Sequence, residues 1–227
     1  MTGKSKRASS ATQTLGAAVE PRWPAIVALL AVGGLRLALP SALSAGPRWL
    51  LIPVVLGLAA PTIWAQHRGL PKLNQLLGYL LLSVVTLDMI WSLSLLLTAL
   101  PSHREAPGDL LRSATALWCT NILVFASWYW RLDAGGPAAR ELSNTHTDGA
   151  FLFPQMTLLP ELKKEMGEEF WHPGFVDYLF LAFNTSTAFS PTDTPVLSRW
   201  AKGLVMVQAL ISFTAVALLA ARAVNIL

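Results

Sequence analysis

The chain has 227 residues, of which 53% are hydrophobic and 13% charged. A soluble domain carries about 25% charged residues, so this composition excludes a water-exposed globular surface, and the apolar residues form continuous runs of the ~20 residues a helix needs to cross a bilayer. Continuous runs exclude the short alternating segments of a β-barrel, and the net charge of +4 does not signal nucleic acid, because the basic residues lie in tails and links where they set membrane topology.

Residues 1–22 form a polar, basic tail without periodicity, which predicts disorder. The tail and the apolar run after it have the look of a signal peptide, with SALSAG as the cleavage region. Arg36 and Pro40 inside the run and the long polar leader favour a retained first helix instead. Trp23-Pro24 opens that span, with Pro at a helix start where its missing N–H costs nothing. The span is expected over 24–44. A second follows over 48–66 with Pro61 near its end, a third and longest over 73–100, and a fourth over 110–132. The fourth ends WYWRLDAGGP: an aromatic belt, a cation and a Gly-Gly-Pro stop. The region 23–132 is thus read as a four-helix transmembrane unit, and 133–172 as a polar, acidic loop with one short helix over 161–170. The block 173–227 holds a short apolar helix, a polar break and a final span over 198–226.

The fold expected is all-α and polytopic, with about five transmembrane helices and one short re-entrant, pore-like helix. Eight of the nine tryptophans fall near proposed span ends, where amphipathic rings settle at the membrane interface. Trp91 falls inside the third span and is expected to pack against neighbouring helices. Lys and Arg concentrate in the N-terminal tail, the second link and the long loop, whereas Arg48, Arg104 and Arg112 stand alone on the opposite side. The positive-inside rule then puts the N-terminus in the cytoplasm.

Polar residues inside apolar spans need partners. Asp88 lies near the centre of the third span, where insertion costs about 2.5–3.5 kcal/mol. Arg36, Asn121 and Gln208 are its candidate partners, either as a structural pair or as a proton or cation site. Thr86, Ser83 and Ser92 are expected to bond back to their own helix. Cys119, the single cysteine, packs as a small hydrophobe. The four histidines sit in separate links without metal spacing, so neither a metal nor a cofactor is expected. Asn184-Thr185-Ser186 fits a glycosylation sequon by chance, and Glu165, Glu168 and Glu169 read as a solvated face. There is no P-loop, no H-E-x-x-H, no G-x-S-x-G and no carboxylate pair, so enzyme activity has no positive signal.

The stretch FNTSTAFSPTDTP, residues 183–195, interrupts the apolar pattern between DYLFLA and the final span. The segment before it is too short to cross a bilayer, and backbone that leaves a helix at membrane depth must be buried in protein or line a water-filled cavity. From Asp177 to Asn225 the chain resembles the pore domain of two-helix potassium-type channels. The matching features are a polar start and aromatic-rich pore helix (Asp177 to Phe183), alternating threonines (Thr185, Thr187), a closing aspartate (Asp193) and a polar link into an inner helix. The resemblance implies a cation pathway lined by Thr185, Thr187, Ser190, Thr192 and Asp193, shared by a symmetric oligomer, most simply a tetramer. Ser190 and Thr192 stand where that family has glycines, and Pro191 lies between them, so the lining implied selects poorly for potassium. Filters of that family face outward, whereas the charge count puts this stretch at the cytoplasmic side. The whole chain is also similar to a family of bacterial integral membrane proteins without an assigned activity, which implies the bacterial inner (plasma) membrane. A non-conducting membrane scaffold or accessory protein, and a small transporter built on Asp88 and Arg36, are the alternative functions.

Overall fold

A computed structural model describes residues 20–99, 107–142, 149–168, 171–187 and 193–226. It is helical throughout, apart from an isolated antiparallel bridge between Phe151 and Val196. The principal helices are α1 (Trp23–Leu37), α2 (Leu51–His67), α3 (Pro71–Ala99) and α4 (Pro107–Leu132). After α4 come two short helices, α5 (Pro137–Leu142) and α6 (Pro160–Glu165), then α7 (Phe175–Thr187) and α8 (Arg199–Ile226).

Among the described residues, four helices are long and apolar enough to cross a membrane, over Arg48–His67, Pro71–Ala99, Gly108–Gly135 and Arg199–Ala221. That differs from the expected count of about five because the first apolar run divides. Its helix has 15 residues, about 22 Å at 1.5 Å per residue, and the chain then turns through a 3₁₀ segment at Ser41–Leu43.

α4 is the hub. In its most apolar stretch 67% of residues are buried, against 17% in α8, and α1, α3, α7 and α8 all pack on it. Lipid is as apolar as leucine, so close packing and polar contacts hold helices together there rather than exclusion of water. The buried face of α4 fits that requirement, with Ser113, Ala114, Ala116, Thr120, Ala126 and Ser127 letting neighbours approach. Ser113, Thr120 and Ser127 return their hydroxyls to carbonyls one turn back, Asp109, Ala116 and Leu123, which satisfies them without a partner helix. Large apolar residues face outward instead: Leu56, Leu80, Leu87, Leu210 and Phe213 are all exposed. Trp91 belongs with them. Contrary to the packing expected for it, it is 56% exposed.

α4 stops at a left-handed turn. Ala134, Gly135 and Gly136 all have positive φ, 48°, 78° and 90°. At Gly136 a Cβ would also sit 2.8 Å from the Arg131 carbonyl oxygen, so the second glycine of the stop has no substitute without strain.

One end of the bundle gathers the basic segments. Arg22, before α1, pairs with Glu141 of α5. Asn74, at the start of α3, accepts from Arg131 at the end of α4. The N-terminal side of α1, the α2–α3 link and the segment after α4 therefore share one end, as the charge distribution groups them.

Candidate functional site

The site begins where α4 ends. Asp133 is fully buried. Its Oδ1 accepts from the Ala150 backbone N–H at 2.5 Å and its Oδ2 from the Tyr178 hydroxyl at 2.6 Å. Arg140 donates to the carbonyls of Trp130 and Asp133, at 2.8 and 2.9 Å, and to Glu20 Oε2 at 3.0 Å. Its guanidinium lies 5.2 Å from the centre of the Tyr178 ring. Burial pushes the Tyr178 phenol well above its ordinary pKa, while Arg140 pulls it down and Asp133 raises it further. The phenol therefore stays protonated and donates to the carboxylate. This cluster ties the segment at Ala150 and the first turn of α7 to the stop of α4.

α7 begins with a half capping box. Asp177, in the third position of the helix, accepts from the Gly174 N–H through Oδ2 at 2.8 Å, which uses one of the donors a helix start leaves over. Burial raises the Asp177 carboxyl above its ordinary value, and the Gly174 bond partly offsets this. Phe175, Tyr178, Leu181, Ala182 and Ser186 are buried, whereas Val176, Phe180 and Phe183 are exposed. Phe183 meets Trp118 of α4 edge-on at 6.3 Å.

Gln208 of α8 locks the inner end of α7. Its Nε2 donates to the Ala182 carbonyl at 2.7 Å and to Ser186 Oγ at 2.9 Å, and its Oε1 accepts from the Tyr129 hydroxyl. Asn121 donates to the Gln208 carbonyl at 3.3 Å, and Ser212 donates to the Ser186 carbonyl at 3.2 Å. Asn121 and Gln208, two of the candidates for Asp88, thus serve each other and α7. Asp88 pairs with Arg36 instead, which also donates to the Ala45 carbonyl at 2.9 Å.

These contacts fix the direction of travel. The rings of Tyr178 and Trp200 both contact Phe151, so the starts of α7 and α8 lie together. Ser186 meets Gln208 and Ser212, which at 1.5 Å per residue lie about 14 and 20 Å along α8 from Arg199. α7 and α8 therefore run parallel from the same end. Between them the chain returns to that end, where Leu152 N–H donates to the Pro195 carbonyl at 3.0 Å and Leu197 N–H to the Ala150 carbonyl at 2.7 Å.

The expected lining divides. Thr185 and Thr187 lie in the last turn of α7 and bond back to the carbonyls of Leu181 and Phe183, at 2.9 and 3.0 Å. Asp193 is exposed on the returning segment. Ser190 and Thr192 lie outside the described residues. Two residues outside the expected set prove central. Asp133 had a signal, an acid between an aromatic belt and a Gly-Gly-Pro stop. Ser186 had none, since its position between two threonines says nothing of which hydroxyl faces inward. Thr86 bonds back to Leu82 at 2.6 Å as expected and also accepts from Trp128. Ser92 Oγ, expected to do the same, is buried without a partner among the described residues. No group of three or more metal-ligating side chains occurs among the described residues.

No protein-family model matches the chain, and neither characterised proteins nor solved structures give a match. Fold and composition define the class: an α-helical protein with, among the described residues, four helices long and apolar enough to cross a membrane.

Proposed function

We propose that the chain is the subunit of a passive, poorly selective cation pathway, with residues 185–193 as its lining. One observation carries the proposal: α7 and α8 run parallel from the same end, so the chain must double back beside the inner end of α7. α7 has 13 residues, about 20 Å of helix against a hydrocarbon core of ~30 Å. Backbone that turns at that depth has to be enclosed by protein or face water. Enclosure by copies of the same chain around an axis, most simply four, supplies both. Hydroxyls and the Asp193 carboxylate then face monovalent cations, with the basic end of the bundle in the cytoplasm of a bacterial inner membrane. The test is cation flux into liposomes holding purified protein. Wild type should conduct, and Thr187→Ala and Asp193→Ala should alter rate or selectivity. Flux equal to empty liposomes across pH and voltage sinks the proposal.

A second reading, a non-conducting scaffold, draws support from the Gln208 lock, which holds α7 as firmly as a structural element needs. The Arg36–Asp88 pair favours a structural role for Asp88 over a transporter's coupling site, because the acid already has its counter-charge.

A further inference from the structure

At the basic end, α1, α2, α3 and the end of α4 line a cleft that is partly open to the surroundings, with a cavity of about 50 Å³ at its centre. Its walls are graded along the bundle axis. At the start of α1 the outer residue is its N-cap Arg22 and the deeper one Leu29; on α2 they are Gln66 and Ala59; on α3, Asn74 and Leu81. Each deeper residue lies seven positions further in, about 10 Å along its helix. Three helices thus place a polar group at the mouth and an apolar one a headgroup's depth below it.

The mouth also carries charge without enough counter-charge. Arg131 lines it and donates through Nη1 to Asn74 O at 3.0 Å and Asn74 Oδ1 at 3.2 Å. Both acceptors are neutral, and among the described residues no carboxylate pairs with Arg131. Arg22 pairs with Glu141 at 2.8 Å, yet its Nε is buried without a partner among the described residues. A guanidinium offers five donors in a planar fork that matches phosphate oxygens. The fold makes room for this one: a Cβ on Gly78 of α3 would fall on the Arg131 guanidinium.

We propose that this cleft binds one anionic phospholipid, its phosphate on Arg131 beside Arg22 and its acyl chain along Leu29, Ala59 and Leu81. Charge complementarity selects the anionic headgroup, and the graded walls select an amphiphile over a free ion. Basic pockets between helices at a cytoplasmic face hold such headgroups by the same physics.

Native mass spectrometry of the full chain in neutral detergent tests this, with phosphatidylglycerol, phosphatidylcholine of the same acyl chains and inorganic phosphate as probes. Wild type should retain one phosphatidylglycerol about tenfold better than phosphatidylcholine, because both bring a phosphate to Arg131 but only the choline sets a cation beside Arg131 and Arg22. R131Q should abolish that preference while Lys164→Gln, on exposed α6, leaves it intact. G78A keeps every charge but displaces the guanidinium, so it should weaken retention as R131Q does, and it decides the matter if R131Q is not recovered folded. Equal retention of the two lipids, phosphatidylglycerol retained unchanged by R131Q or G78A, or its displacement by equimolar inorganic phosphate would each overturn the site.

Discussion

Gln208→Leu tests the polar lock between α7 and α8. Leucine is apolar and somewhat bulkier, so the side chain's three hydrogen bonds are lost, to Ala182 O, Ser186 Oγ and Tyr129 Oη, and any repacking adds to the cost. Interhelical hydrogen bonds in membranes average about 0.6 kcal/mol and reach about 1.7, so three of them amount to roughly 2 kcal/mol, with about 5 as the ceiling. The figure leans above the average because Gln208 and the Tyr129 side chain are fully buried, so solvent cannot replace the lost bonds. Ser212→Ala removes a single bond and should cost about 0.6 kcal/mol on the same scale. Both variants are compared with wild type by reversible unfolding in mixed micelles, read by tryptophan fluorescence. The reasoning fails if Gln208→Leu costs no more than Ser212→Ala, because the side-chain bonds would then carry none of the stability assigned to them.

Breaking the Arg36–Asp88 pair from one side should destabilise far more than replacing both partners. Asp88→Asn leaves Arg36, 4% exposed, without its anion and should cost about 3–5 kcal/mol, whereas Arg36→Met with Asp88→Leu should be near neutral; additive costs in a double-mutant cycle would refute the pairing. Tyr178→Phe removes the hydroxyl that donates to the Asp133 carboxylate and should lower stability by about 1.5–3 kcal/mol, the range of a hydrogen bond to a charged group, measured by the same unfolding assay. Asp177 has a folded pKa above its ordinary 3.8. Its contribution is therefore fully present below that value and is lost as pH rises through the raised folded pKa. Asp177→Asn should flatten that part of the melting-temperature profile, and an unchanged slope would count against it. Gly136→Ala, at φ 90°, should cost about 1–3 kcal/mol as backbone strain; an unchanged melting temperature would show that the α4 stop relaxes freely.

The sequence made the long helices legible because a span is a composition signal, readable from one strand of text. α3 and α4 begin within two or three residues of expectation, and Pro24, Gly46-Pro47 and Gly135-Gly136-Pro137 punctuate the chain as they should. What it concealed were choices among equals. Arg36, Asn121 and Gln208 are equivalent candidates for Asp88 in sequence, and only the packing of α1 on the bundle separates Arg36 from two residues that bond to each other across α4 and α8. Thr185, Ser186 and Thr187 offer three hydroxyls in a row, but helical rotation of about 100° per residue turns the middle one inward and leaves the threonines to bond their own helix. The first span misread for a related reason: hydropathy continues through Pro40 and Leu43, while the helix stops at Leu37.

α7 has two faces that make opposite demands. The inner face asks nothing more of its surroundings, since Ser186, the Ala182 carbonyl and the Ser186 carbonyl all have partners on α8. The outer face presents Val176, Phe180 and Phe183, which lipid covers as well as protein does. Packing alone therefore does not require a second copy. The requirement comes from the backbone. A helix leaves its last four carbonyls without internal donors, Ser212 serves one of those at the end of α7, and hydrocarbon can serve none of the others. At the membrane depth proposed for it, the inner end of α7 needs water or protein, whether the chain's own following residues or a second copy, to serve these carbonyls. In the proposed pathway, carbonyls and hydroxyls at a helix end are the kind of acceptor a dehydrating cation needs, which is why the half-length of α7, more than any single threonine, carries that proposal.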